Sequence, residues 1–346
     1  MNAGDRAPRA NPALPSLAGV LSVDDVARTA ESIAALQLPS GMIEWFPGGH
    51  TDPWNHVEAA MALATCGLIA HADKAYDWLA DIQRADGGWH NYYTARGVED
   101  PKLDSNCVAY IATGVWHHYL ATGDLDALAR RWSMVEQAID FVLDLQLPRG
   151  EVIWARHVDH RPWGYALLTG SSSIGHSLGC AVRISEVLDK RRDDWQEACA
   201  RLVDVVARQP QVFEPKERWA MDWYYPVLSG AVTGADATRM LASGWDTFVM
   251  DGRGVRCVSD RPWVTTAETC ECAIAHLVAG ERTKALDLLV WANRLRDHDG
   301  SYHTGLVFPE LVYFPDHERS AYSAAAMILA VDAVEGISPT SHLFVP

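Results

Sequence analysis

Carboxylates and aromatic rings are interleaved along this chain of 346 residues in a pattern that suits a polyhydroxylated ligand. Glu44, Asp52, Asp104, Asp159, Asp222, Asp260, Glu310, Asp316 and Glu318 share segments with Trp45, Trp54, Trp89, Trp154, Trp163, Trp219, Trp223 and Trp263. Those segments lie between helical stretches, where solvated loops normally carry little aromatic surface. The apolar faces of pyranose rings stack on Trp and Tyr, while sugar hydroxyls bond to carboxylates. The same walls could shelter a carbocation, or the rings could simply seal the end of a barrel.

Particular residues stand out. Asp104 opens a helix in LDSNCV, where it can cap the helix, hold a ligand, or both. Asp222 lies in MDWYYP among Trp223, Tyr224 and Tyr225. Asp52 and Trp54 flank Pro53 at another helix start. Trp45, Trp54, Trp89, Trp163 and Trp223 are expected to line subsites, with Tyr224 and His303 beside them. Glu58 and Glu271 fall one turn into helices that surround the core, where an unpaired charge is costly. They therefore need a ligand or a buried partner. His50, His56 and His90 match no standard metal spacing, so neither metal nor cofactor is expected.

The elements that position these residues are helices. Apolar residues recur at helical spacing near 22–37, 53–70, 72–85, 104–121, 125–146, 170–188, 191–208, 222–233, 236–247, 263–279, 282–296 and 319–335. Connections after the even-numbered helices are short and those before them are long. Hairpins of one common orientation follow, with every long loop on one face. An internal repeat agrees: Gly41/Gly254, Glu58/Glu271, Gly67/Gly280, Trp78/Trp291, Asp86/Asp299, Gly87/Gly300 and His90/His303 match at one constant, ungapped offset. HRPW at His160–Trp163 echoes DRPW at Asp260–Trp263. One supersecondary unit is reused. The expected fold is an all-α (α/α)6 toroid of six hairpins over residues 21–346, with a flexible arm over residues 1–20; an open solenoid is its rival.

Net charge of −16 argues against nucleic acid and anionic membranes as partners. No run of 18 apolar residues or signal-type core appears, and seven scattered cysteines give no disulfide framework. A cytoplasmic protein acting on a small molecule or oligosaccharide is expected, its oligomeric state open.

From about residue 40 to residue 335 the chain resembles glucoamylase-type glycosidases of the six-hairpin class. The resemblance rests on YDWLADIQRADGGWHNYYTARGVEDPKLDSNCVAYIATGVWHHYLATGD, on WAMDWYYPVLSG and on LRDHDGSYHTGLVFPELVYFPDHERSAYSAAAMILA. It implies inverting hydrolysis by two carboxyl groups roughly 6.5–9.5 Å apart, one protonating the leaving oxygen and one activating water. By position Glu310 matches the base. The family's acid belongs to an IWE segment that reads IWAR here, so Ala155 stands in its place. Asp159, Glu151, Asp104, Asp222 or another loop carboxylate would have to supply the proton, or the chain binds glycans without cleaving them.

QRADGGW at Gln83–Trp89 also resembles the repeat of squalene cyclases and protein prenyltransferase β subunits, where Gln and Trp tie one helix end to the next. An isoprenoid enzyme on the same scaffold is thus the alternative. The cyclases' DxDD is absent, and Asp193, Asp194 and Glu197 look only faintly like a diphosphate-binding DDxxE.

Overall fold

The computed structural model describes residues 14–345. Its twelve α-helices are α1 (Val23–Ala34), α2 (Pro53–Thr65), α3 (Ile69–Ile82), α4 (Ser105–Thr122), α5 (Leu125–Leu143), α6 (Leu168–Val187), α7 (Asp193–Arg208), α8 (Ala220–Leu228), α9 (Gly234–Phe248), α10 (Thr266–Val278), α11 (Arg282–Ala292) and α12 (Ala321–Glu335). The even-numbered helices form an inner ring. Each packs on the next, and α12 returns to α2. The odd-numbered helices form an outer layer in which α3, α5, α7, α9 and α11 each back the inner helix before them. The sixth hairpin is made across the chain, by α12 and α1. The fold is the expected all-α toroid.

Composition explains the two rings. In α2 every residue but Trp54 is buried, so that helix is apolar all round and touches neighbours on every side. In α7 only Trp195, Ala198, Leu202, Val205 and Val206 are buried, a single stripe at helical spacing. Asp193 and Glu197 are on its exposed face and Asp194 pairs with Arg192, so the DDxxE-like triplet is a solvated helix surface.

A repeated staple ties the outer layer together. The amide of Gln37 donates to Gly41 O and His71 O, that of Gln83 to Gly87 O and Met134 O, and that of Gln146 to Gly150 O and Ala198 O. Arg296 replaces Gln at the last joint and donates to Asp25 O on α1. At Gly87 φ is +86°, and a Cβ would come within 2.2 Å of Gln137 O, so the chain passes too close to α5 for any side chain. Trp89 completes that joint: it is buried and its indole donates to Leu79 O at 2.9 Å.

Three expectations change. The segment read as a loop over 297–318 contains an antiparallel hairpin, His303–Val307 with Val312–Arg319, joined to Trp263–Thr265. The helix expected over 222–233 ends at Leu228. Of the supposed arm, residues 1–13 lie outside the described residues, while Leu14, Leu17 and Val20 pack against the core. No helix among the described residues is long and apolar enough to cross a membrane.

Candidate active site

All six inner helices begin at the face where the long loops gather, so their N-terminal N–H groups and positive dipole ends point into one depression. A cavity of about 520 Å³ opens there, between residues 45–55, 91–107, 154–170 and 216–222. Trp45, Trp54, Tyr92, Trp154, Tyr165 and Trp219 supply its aromatic walls, and Asp52, Asp104 and Asp222 its carboxylates. Trp154 and Tyr165 stack at 5.6 Å, and Lys102 lies over the Trp154 ring.

Each aspartate is held by the start of a helix. Asp52 caps α2: Oδ1 accepts from Trp54 N (2.8 Å) and Asn55 N (3.0 Å), and Oδ2 from Trp45 Nε1 (3.1 Å) and Asn55 Nδ2 (2.5 Å). Burial pushes its pKa up, and these four donors pull back toward the charged form. Asp104 caps α4 through Oδ1, which accepts from Asn106 N and Cys107 N. Its backbone pairs with Ala155, so it is the direct ladder partner of the residue standing where the glucoamylase-type acid would be. Asp222 Oδ1 accepts from Thr169 N and its hydroxyl on α6. Burial raises the pKa of both. Cys107 Sγ is 3.9 Å from Asp52 Oδ1, so the α2 and α4 walls touch there.

Trp54 Nε1, Asn55 Oδ1 and Asn106 Oδ1 are buried, line the cavity and have no hydrogen-bond partner among the described residues. Buried polar atoms are nearly always satisfied. A donor and two acceptors left open between aromatic faces are complementary to sugar hydroxyls.

Two further carboxyl groups stand at the starts of the remaining inner helices α10 and α12. Glu268 occupies the first turn of α10, and burial pushes its pKa up. Glu318 stands two residues before Ser320, the N-cap of α12, and accepts from the Thr304 hydroxyl at 2.8 Å. Tyr322 on α12, whose ring lies 5.1 Å from Trp45, is held above the usual phenol range by burial and by the charges of Glu268, Glu318, Glu271 and Asp52. Glu268 carried no sequence signal beyond its register with Glu271, one turn further on.

Other expected site residues lie elsewhere. Glu310 is exposed at the tip of the hairpin, which lifts it away from the ring. Asp159 is an exposed loop carboxylate paired with Arg161. Trp223 is buried, donates to Met240 O at 2.9 Å and stacks on Phe248, so it serves packing between α8 and α9. Trp163 stacks on His157 beside Trp154, behind the cavity wall. His303 is buried under the hairpin against Tyr313, 3.8 Å from Asp297. His56 uses both ring nitrogens on backbone, at Ile43 N and Ala75 O, and burial holds its pKa at about 4, so it cannot join His50 and His90 as a ligand set.

Glu58, Tyr224 and Glu271 found buried partners rather than the funnel. Tyr110 donates to Glu58, and Tyr224 and Tyr225 donate to Glu271 (3.0 Å for Tyr225). The two glutamates border a small internal cavity on the ring axis closed by Phe344. Burial raises the Glu58 pKa from 4.5 to about 7. A raised carboxyl favours the native state while it is protonated, so that stability is full below pH 4.5 and lost as pH rises through about 7. Glu58→Gln keeps an acceptor for Tyr110 and removes the titration. The wild type's melting temperature should therefore fall relative to this variant between those limits; parallel curves in a pH series of thermal melts would exclude the effect.

Comparison with known proteins supplies the family. The chain is 46% identical over 335 residues, 96% of its length and 92% of the relative's, to an MMP endo-(1,4)-3-O-methyl-α-D-mannosidase of Mycolicibacterium hassiacum. It belongs to this glycosidase family. An uncharacterized glycosyl hydrolase of Methanocaldococcus jannaschii is 25% identical over 228 residues, 64% of this chain and 34% of the relative. No protein-family model matches. Among solved structures, a wild-type glycosidase superposes with TM-score 0.73 at 14% identity, covering 93% of this chain and 97% of that one. A D-mannose isomerase superposes with TM-score 0.64 at 10% identity, covering 91% and 99%. These two show the shared toroid. Family membership makes the chain a carbohydrate-active hydrolase of glycosidic bonds, and the isoprenoid alternative falls away.

Proposed function

We propose that the enzyme cleaves internal α-1,4 linkages of a 3-O-methylmannose polysaccharide, with Glu268 as general acid and Asp52 as general base. The observation that carries the assignment is that these two carboxyl groups stand at the starts of α2 and α10, the helices on either side of α12 in the ring. Neighbouring helices pack about 8–10 Å apart, so axes two places apart in a ring of six are separated by roughly 14–17 Å. Two inward side chains shorten that span toward the roughly 6.5–9.5 Å of an inverting pair, with room for a water. Burial raises both carboxyl groups, which suits a protonated Glu268 as acid, while four donors on Asp52 oppose that rise and support the charged form a base requires.

Substrate class follows the relative and the walls. That relative's name states an endo-acting enzyme on a methylated mannoside. Here Leu167, Met221 and Cys107 place apolar surface beside the aromatic faces, which suits methyl ethers, while Asp104, Asp222, Asn55 and Asn106 offer partners for free hydroxyls. The test is a time course on a panel of α-mannans with and without 3-O-methylation. Fragments of intermediate length should appear first, and only from the methylated polymer. Release of monosaccharide from chain ends alone, or inertness toward every member, would reject the proposal.

A further inference from the structure

Beyond the funnel rim lies a second cavity of about 750 Å³, between the segment 210–217 and the outer helix α9. Lys216, Trp219 and Asp222 border both chambers, so the outer one adjoins the funnel as a trough along its rim. Trp219 is 46% exposed, and every other tryptophan among the described residues is buried or half-buried. The floor of the trough is apolar: Trp223 stacks on Phe248 at 5.5 Å, and Gly244 admits the indole because a Cβ there would sit 2.5 Å from it. Glu214 and Glu217 border the same chamber. An exposed aromatic platform, an apolar floor and flanking carboxylates repeat the funnel's own chemistry one chamber further out.

We infer that this trough is a distal glycan subsite, which holds further sugar units of the polymer after they leave the funnel across Trp219. The inference rests on the glycan-cleaving reading above and adds to it where the rest of the chain lies. Each chamber is within the size range of about 300–1,000 Å³ that holds a small ligand, so the pair spans several pyranose units. Binding energy collected on remote units is then available to the reaction at the scissile bond. The trough thereby accounts for a preference for long chains over short ones.

Ser243 and Thr247 are exposed on α9 and border only the outer chamber, so a bulky side chain there fills the trough without touching the funnel. The experiment compares kcat/KM on a short and a long α-1,4-linked 3-O-methylmannose oligosaccharide for the wild type, Ser243→Phe and Trp219→Ala. Both variants should lose about 10-fold or more on the long substrate. Ser243→Phe should match the wild type on the short one. Equal losses on both lengths, or no loss on the long one in a folded Ser243→Phe, would overturn the subsite while leaving the catalytic reading intact. If the wild type cleaves neither length, the catalytic reading fails and the subsite with it.

Discussion

Replacing Glu268 by Gln should lower kcat on the polymer by about 10²–10⁴, the range carried by a positioned proton donor. The substitution keeps size and removes the proton that the leaving oxygen needs. It also relieves a buried titratable group, so the melting temperature should hold or rise. What separates an acid from any other necessary group is the leaving group. On a mannosyl donor whose aglycone departs without protonation, such as a dinitrophenolate, Glu268→Gln should recover most of the wild-type rate. The alkaline limb of the rate profile should vanish with it. If polymer and activated donor suffer alike, Glu268 is not the acid; if neither suffers, it has no part in turnover.

Asp52→Asn is expected to lose a similar factor with the opposite signature. The base acts on water, so a better leaving group should not restore the rate. In Asp52→Ala, added azide should restore it by attacking in water's place. Asn retains the cap through its oxygen on Trp54 N and Asn55 N, but its amide then faces two donors, Trp45 Nε1 and Asn55 Nδ2. That mismatch should cost about 1–3 kcal/mol of stability, visible in denaturant melts. Wild-type turnover by Asp52→Asn would move the base to another carboxylate of the ring, Glu318 first.

Much of this architecture is readable in the chain because helices that differ in depth differ in pattern. The all-round apolar α2 and the striped α7 announce inner and outer rings, and the offset of Glu58 from Glu271 correctly joins α2–α3 to α10–α11. Asp52, Asp104 and Asp222 were visible because each marks a helix start. Direction was not visible. Trp89 and Trp223 sit in or beside the same loops as Trp45 and Trp54, yet their indoles face outward to Leu79 O and Met240 O. Glu268 was hidden because one further carboxylate in TTAETCECA looks like any other residue of a helix. Glu310 was misplaced because resemblance by position ignores the hairpin, whose turn carries Glu310 out and whose return strand brings Glu318 to the start of α12.

The sixth hairpin, assembled from the last inner helix and the first outer one, has a consequence for where the polypeptide begins. Five hairpins are covalent and the sixth is a packed seam, where Arg296 donates to α1 as Gln37, Gln83 and Gln146 do at three other joints. A circle with one unsewn seam has no obligatory starting point. Rejoining the ends across α12 and α1, and cutting instead at a tight connection on the side remote from the funnel, such as Gly230–Ala231, would give a permuted gene whose product keeps every catalytic neighbour. The order in which the hairpins leave the ribosome is therefore a historical choice of the gene and not a requirement of the toroid.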